Sequence, residues 1–358
     1  MRSRMLYVGT DDGAYRFDDA LEREQPPTAT RVLDAGSVMR LRSFDDPERP
    51  DGLFAATASG LYHAVDGDDW VGLGVPADAV YAVGASSDGR TLYAGTRPAG
   101  MYVADVPAGV VDDGSLDPSA LEWREREGFQ ALPSREDWRL PRHADLAHVR
   151  DAKSLPGDPD GVVAGVEVGG VHASADRGET WTERRGPITD PRPEDATDGV
   201  DWSKRPGDVH DDVHELAVVT ATEWVAATGF GLFRTTDAGD SWTRLDDDHE
   251  QGYFRTVFHH DGRTYAAGAL SSSGNWDDLD EDPGFFAYAP EAGLRELDVD
   301  TPDEVVTGVT AVDGDTLFAG THRGSLLRET ASGEWTTVGS FPTDAGSGTY
   351  TPLAWLGE

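Results

Sequence analysis

One phrase recurs along the chain and limits the possible folds more than any other feature. It consists of an apolar strand that ends in small residues and glycine, a short turn, and a second strand. Its copies begin near residues 6, 53, 92, 162, 224, 264 and 317. Strand–turn–strand units repeated about every 50 residues are typical of the blades of a β-propeller. The sequence therefore predicts seven blades, which are numbered in this order below.

A further apolar strand precedes six of the seven copies, at residues 38–41, 80–83, 149–152, 213–216, 254–257 and 306–309. The strand that is missing before the first copy lies near the other end of the chain, at residues 350–356. Pairing of this segment with the first blade would close the ring and leave no open sheet edge. We therefore predict one all-β domain over residues 1–358, a seven-bladed β-propeller of four-stranded antiparallel blades.

The charge and the absence of cysteine exclude several classes of function. The chain has 30 Lys and Arg against 67 Asp and Glu, a net charge of −37, and no cysteine. A disulfide scaffold, a cysteine metal site and a cysteine nucleophile are therefore excluded. Because nucleic acids and anionic membranes are bound through basic surfaces, neither is an expected partner.

The sequence also shows no targeting or membrane-spanning segment. No stretch approaches the roughly 18 apolar residues that cross a bilayer. The first residues lack the apolar core and cleavage site of a secretion signal. We expect a cytoplasmic protein that is a monomer.

A second motif follows the repeated phrase in several blades and ends in tryptophan. Residues 174–181 read S-x-D-x-G-x-T-W, and residues 235–242 differ from it only by Thr for Ser and Ser for Thr. The aspartate can accept backbone N–H bonds across a tight hairpin, and the glycine permits a positive φ. The residues of the motif are Ser174, Asp176, Gly178 and Trp181 in blade 4, and Asp237, Gly239 and Trp242 in blade 5.

This motif resembles the Asp-box of bacterial neuraminidase (BNR) repeats. The chain is similar to the propeller superfamily that contains sialidases, sortilin-type receptors, xyloglucanase-type glycosidases and the photosystem II assembly factor. The resemblance extends over essentially all 358 residues through the blade phrase and is most specific at the two boxes. It implies that the boxes lie on the turn between the third and fourth strands, away from the ligand face. Asp176 and Asp237 would then be structural residues.

The amino-acid composition resembles that of a second group of proteins. An acidic, Asp-rich chain with only two lysines, Lys153 and Lys204, resembles the proteins of haloarchaea. Molar salt screens the self-repulsion of such a surface. On this interpretation the protein is halophilic and the acidity carries no information about partners. The alternative is an acidic binding surface.

The inner strands carry the first set of candidate site residues. Alignment on their apolar positions places one residue from each blade in a common register. These residues are Arg40, Tyr81, Arg150, His214, Arg255, Thr307 and Thr351. Three arginines facing one axis favour a pocket for an anionic group, since guanidinium forks bind carboxylate, phosphate and sulfate. Alternatively, the arginines pair with the neighbouring acids Asp151, Glu215, Asp211 and Asp212.

Two segments before these strands are rich in ligand-type side chains, residues 143–151 and 210–215. One hypothesis is a divalent metal held by His148, His210, His214 and Asp212. Another is acid–base catalysis, with Asp151, Glu215 and Asp211 as candidates. The third is polar capping of the channel mouth without chemistry. The sequence contains no cofactor motif.

Two functions remain open. The first is a non-enzymatic propeller that binds a protein partner or a small anionic ligand at its loop-rich face, in blades 4 to 6. The second is a glycoside hydrolase that uses a pocket of carboxylates and histidines. The resemblance to sialidases implies an arginine triad, a Tyr/Glu nucleophile pair and an acidic Asp. The nucleophile pair cannot be assigned, and the early Arg-Ile-Pro signature is absent. We therefore favour binding.

Overall fold

Seven four-stranded antiparallel sheets make up the fold in a computed structural model of the chain. The structure describes residues 5–18, 27–44, 49–106, 116–138, 144, 146–184, 212–277, 281–314, 316–344 and 350–357. The innermost strands contact one another in sequence order around a closed ring. This is the predicted seven-bladed propeller.

Each blade contributes one strand to each of four concentric positions. From blade 1 to blade 7, the inner strands are Leu353–Leu356, Val38–Ser43, Ala79–Ala85, His148–Leu155, Val213–Val218, Tyr253–His260 and Val306–Val312. The second strands are Met5–Gly9, Leu53–Thr57, Thr91–Arg97, Asp158–Glu167, Trp224–Thr228, Arg263–Ala269 and Thr316–Thr321.

The two outer positions hold shorter and more exposed strands. In the same order, the third strands are Ala14–Asp18, Gly60–Ala64, Met101–Asp105, Gly170–Ser174, Gly231–Thr235, Gly284–Ala289 and Ser325–Glu329. The outer strands are Thr28–Leu33, Val71–Gly72, Arg124–Glu125, Thr182–Glu183, Thr243–Arg244, Gly293–Glu296 and Trp335–Ser340.

Helices are few and short among the described residues. One α-helical turn, Glu127–Gln130, and three 3₁₀ turns, Pro118–Ala120, Pro133–Asp137 and Ser273–Asn275, lie in the connections. No helix in the described part of the chain is long and apolar enough to span a membrane.

Ring closure follows the predicted route. The inner strand of blade 1 comes from the C-terminal segment and pairs antiparallel with the second strand, with Val8 opposite Leu353 and Leu6 opposite Trp355. Leu353 also packs against Phe318 of blade 7, and Leu356 lies in a cluster with Val38 of blade 2. One short strand therefore joins the first and last blades.

The hydrophobic core lies between blades. Each sheet has both faces covered by its neighbours, so the second strands are almost entirely apolar and buried, as in Leu53–Thr57. One cluster, for example, combines Val163 and Val171 of blade 4 with Trp224 and Trp242 of blade 5. The tryptophan that ends the sequence motif thus fills the space between adjacent blades.

The two motif turns adopt the same hydrogen-bonded structure between the third and outer strands. In blade 4, Ser174 Oγ donates to Asp176 Oδ1 at 2.7 Å, and Thr180 N donates to the same oxygen at 2.8 Å. In blade 5, Thr235 Oγ1 and Ser241 N each donate to Asp237 Oδ1 at 2.8 Å. The Ser241 hydroxyl is the main cause that lowers the pKa of Asp237 to about 2. These aspartates are acceptors that hold a hairpin together.

The glycines of these turns give a direct test of their packing. Gly239 has φ +84°, and a Cβ added there would lie 2.7 Å from the Cβ of Arg184. Gly262 has a similar φ of +74°, but an added Cβ would meet nothing within 4 Å. We expect Gly262→Ala to lower the free energy of unfolding by about 1 kcal/mol through backbone strain. Gly239→Ala should lower it by roughly 1–3 kcal/mol more, because the added methyl group overpacks the turn. Urea denaturation measures both, and equal losses would contradict the close packing of this turn.

Candidate functional site

The inner strands share an irregularity that brings two adjacent side chains toward the channel. In blades 3 to 7 the register between the inner and second strands shifts at one residue, which is left without a partner. The residues at this β-bulge are Tyr81, Arg150, His214, Arg255 and Thr307. The hydroxyl of Thr307 is hydrogen-bonded to that of Thr351 from blade 1. We call these six residues the mouth layer.

Arg40 does not belong to the mouth layer, so the predicted common register is wrong for blade 2. Val38 pairs with Thr57 and Arg40 pairs with Ala56, which places Met39 at the bulge. Arg40 instead corresponds to Asp151 and Glu215, the paired residues that follow the bulge in blades 4 and 5. A bulge places two consecutive residues on the same face of a strand. The alternation of apolar and polar residues along the sequence therefore fixes the register only to within one residue.

Arg150 is buried in the mouth layer beside a carboxylate of its own blade. Its Nη1 lies 3.1 Å from Oε2 of Glu167, at the end of the second strand. The same oxygen lies 3.4 Å from Nδ1 of His148. Burial acts to raise the pKa of Glu167, but the charge of Arg150 and the interaction with His148 together outweigh it and hold this pKa well below its usual range. Burial lowers the pKa of His148. Glu167 is thus an ionised counter-ion to Arg150.

His214 is fixed on both sides. Its Nδ1 donates to the backbone oxygen of Phe254 at 2.6 Å, since a carbonyl can only accept. Its Nε2 lies 3.3 Å from Oδ1 of Asp212. The ring packs against Tyr253, with 4.7 Å between the ring centres. In the same way, the ring of Tyr81 lies 4.7 Å from that of His148.

Two guanidinium groups share one aromatic ring at the mouth. The guanidinium carbon of Arg150 lies 4.6 Å from the ring centre of Tyr350, and that of Arg255 lies 4.2 Å away. Both arginines are more than nine-tenths buried. Contact with an aromatic face stabilises a cation and leaves the N–H edge of the guanidinium free to donate in the ring plane. Tyr350 therefore positions both arginines.

A second group of charges follows the bulge along the inner strands and is called the channel cluster. It consists of Arg40 and Arg42 of blade 2, Asp151 and Lys153 of blade 4, and Glu215 of blade 5. Arg42 Nη2 lies 3.3 Å from both Asp151 Oδ1 and Glu215 Oε1. Arg40 donates to the backbone oxygen of His214 at 2.6 Å. The cluster ties three blades together across the axis.

The two carboxylates of the channel cluster are held in their ionised form. Asp151 accepts from the backbone N–H groups of Ala152 and Leu216, each at 3.0 Å. Glu215 Oε2 accepts from Thr256 Oγ1 at 2.6 Å. Burial acts to raise both pKa values, but the neighbouring cations lower that of Asp151 to about 2 and that of Glu215 below its ordinary value. A general acid needs a raised pKa, so this environment does not suit either residue to that role.

The described residues include only part of the predicted metal set. His210 and Asp211 lie outside them. Among the residues that the structure describes, no group of three or more His, Asp or Glu side chains is arranged to hold a metal ion. The metal hypothesis stays a prediction, because His210 lies outside the described residues. Of its other members, His214 lies beside Asp212, whereas His148 lies beside Glu167.

Sequence reasoning missed four residues of these clusters: Arg42, Lys153, Glu167 and Tyr350. For three of them a signal was present. Arg42 and Lys153 each lie two positions after an identified residue, and side chains two apart share a strand face. Glu167 is the one charged residue in the apolar run of its strand, which also marks it. Nothing in the local pattern identifies Tyr350.

Comparisons with known proteins agree on the architecture. No protein-family profile and no curated protein sequence matches the chain. Among solved structures, a GH74 xyloglucanase from Xanthomonas campestris is similar with a TM-score of 0.53 and 16% identity, covering 85% of this chain and 45% of that one. The chain thus spans about half the length of that enzyme.

Two other proteins match over most of both chains. YCF48 from Cyanidioschyzon merolae has a TM-score of 0.51 and 13% identity, covering 87% of this chain and 86% of that one; a YCF48 bound to a D1 peptide has 0.50 and 14%, covering 84% and 81%. A putative 6-phosphogluconolactonase from Bacteroides uniformis has 0.56 and 12%, covering 98% and 100%. At these identities the likeness shows the fold alone: the chain is a seven-bladed β-propeller.

Proposed function

We propose that this propeller is a binding protein that holds an anionic group of a protein partner at the mouth layer, between Arg150 and Arg255. The observation that carries this proposal is the pair of buried guanidiniums on Tyr350. Arg150 Nε and Nη2 make no hydrogen bond to any described residue. The unpaired donors of Arg150 favour an incoming carboxylate, which accepts two parallel N–H bonds from one guanidinium.

The charge state of the buried carboxylates supports binding over hydrolysis. Glycoside hydrolysis needs one carboxylic acid with a raised pKa and a second carboxylate at a set distance. Asp151, Glu215 and Glu167 have lowered pKa values because cations face each of them. Such carboxylates fix the arginines in place. The peptide in one YCF48 structure supports a peptide ligand, since that protein shares the fold.

A panel of short peptides tests the proposal. Each is made with a free C-terminal carboxylate and with an amide, and binding is followed by fluorescence anisotropy in molar potassium chloride. We expect the free acids to bind and the amides to bind at least about tenfold more weakly, because a charge-assisted bond contributes roughly 1.5–3 kcal/mol. Arg150→Gln and Arg255→Gln should each produce a similar loss.

Arg124→Gln is the matched control, since this arginine lies on an outer strand with 62% of its side chain exposed. Circular dichroism checks that each variant folds. If a glutamine variant does not fold, Arg255→Lys, which keeps the charge, is tested in its place. Equal affinity for acids and amides, or equal binding by Arg150→Gln and Arg124→Gln, would contradict the proposal.

A further inference from the structure

The channel cluster is not used by the proposed partner binding, and its charges do not cancel. Arg40, Arg42 and Lys153 face Asp151 and Glu215, so three cations meet two carboxylates among the described residues. Arginine cannot lose its proton in a protein. An excess positive charge in a buried site is costly unless an anion compensates it.

The carboxylates have little capacity left for the surplus cations. Asp151 and Glu215 accept three backbone N–H bonds and one hydroxyl bond in addition to their contacts with Arg42. Lys153 Nζ lies 3.6 Å from Asp151 Oδ2, beyond hydrogen-bond distance. Arg40 Nε and Arg42 Nε make no hydrogen bond to any described residue. Donors therefore exceed acceptors in this cluster.

A narrow cleft that opens to solvent adjoins Arg40 and Arg42. Glu215, Thr256 and Thr307 also line it, together with other residues of blades 6, 7 and 1. Arg40 is 4% exposed, whereas the side chains of Arg42 and Lys153 retain 19% and 24% exposure. The space within the cleft is about 10 Å³, room for about one water molecule. A larger anion would therefore lie at its open side.

Arg42 and Lys153 approach the same point from different blades. They contact the two oxygens of one carboxylate, Arg42 at Asp151 Oδ1 and Lys153 at Oδ2. We propose that the channel holds a small inorganic oxyanion, phosphate or sulfate, bound by Arg42 and Lys153 with Arg40 behind them. Guanidinium and ammonium groups together supply the several donors that a tetrahedral oxyanion accepts. This site is separate from the mouth layer.

The pKa of Lys153 can report whether an anion is bound at this site. Burial, followed by the charge of Arg42, lowers its pKa to about 8, and Arg40 acts in the same direction while Asp151 and Glu215 oppose it. A bound anion would favour the ammonium form and raise this pKa. Only one other lysine exists, Lys204, so a Lys204→Arg chain carries a single lysine signal.

The experiment uses this full-length Lys204→Arg protein, reductively methylated with ¹³C-formaldehyde so that the lysine keeps its charge. The ¹³C shift of Lys153 is titrated against pH with and without inorganic phosphate, and with sulfate in a second series, at constant ionic strength. We expect a saturable phosphate effect that raises the pKa of Lys153 by at least half a unit. Arg42→Gln should weaken phosphate binding at least tenfold, and Arg124→Gln, at an exposed outer-strand position, should leave it unchanged.

Arg42→Lys keeps the charge and replaces the glutamine variant if that protein does not fold. If phosphate and sulfate both leave the Lys153 titration unchanged, or if the effect persists in Arg42→Gln, the channel site is wrong. A response to sulfate alone keeps the site and makes sulfate its ligand. Because the readout is Lys153 and not peptide binding, failure of the mouth proposal leaves this result unaffected.

Discussion

Deletion of residues 353–358 should abolish the stable monomeric fold. This deletion removes the inner strand of blade 1, whose four ladder pairs and two buried leucines, Leu353 and Leu356, join blades 7, 1 and 2. Losing one buried leucine side chain costs about 2–5 kcal/mol. The combined loss approaches the roughly 5–15 kcal/mol that stabilises a whole domain. Circular dichroism melts and size-exclusion chromatography measure the effect.

A shorter deletion provides the control. Removing only residues 357–358 leaves every pair of this ladder in place, and we expect a melting temperature close to that of the full chain. The longer deletion also exposes the edge of strand Met5–Gly9, which should promote association. Addition of a peptide of residues 350–358 should restore the monomer. A stable, monomeric protein without residues 353–358 would show that ring closure contributes little.

Asp151→Ala should cause the largest loss of stability among single substitutions in the channel. Asp151 is fully buried and contacts Arg42 and Lys153 while it accepts from Leu216 N. Removing one partner of a buried ionic group leaves the others uncompensated, which costs about 3–5 kcal/mol. Urea unfolding at neutral pH measures this loss, with Asp105→Ala, at an exposed strand end, as the control.

The pH dependence of the same residue has a defined sign. The pKa of Asp151 is lowered to about 2 from an ordinary value of 3.8. Its carboxylate therefore stabilises the fold above about pH 4, and this contribution is lost as the pH falls toward 2. The stability difference between the wild type and Asp151→Ala should shrink over this window. A difference that stays constant from neutral pH to pH 2 would mean that the carboxylate is not stabilised by its neighbours.

The features that were predicted correctly from the sequence are those that local sequence patterns determine. Blade number, strand order and ring closure follow from period-two apolar strands separated by turns, and they appear as predicted. The position of Trp242 between blades 4 and 5 follows from its fixed distance from the turn glycine. The strand and turn patterns that predict them involve only residues close together in the chain, even where the strands that pair are distant, as in ring closure.

The site was harder to predict because its geometry is not local. A β-bulge shifts Arg40 out of the mouth layer, and an apolar pattern does not record that shift. Arg150 pairs with Glu167 of the neighbouring strand, not with the acids near it in sequence. Arg40, by contrast, does face Asp151 and Glu215, which were among the expected partners. The halophilic interpretation stays a prediction.

The central claim is that the buried carboxylates Asp151, Glu215 and Glu167 are fixed counter-ions of arginines and not acid–base catalysts. The most direct test is a ¹³C titration of the carboxyl groups, with Asp151→Asn, Glu215→Gln and Glu167→Gln spectra to assign the three signals. The lowered pKa values predict that none of the three titrates between pH 5 and 8. A carboxyl group among them with a pKa above about 6, as a general acid requires, would contradict the claim and favour a hydrolase.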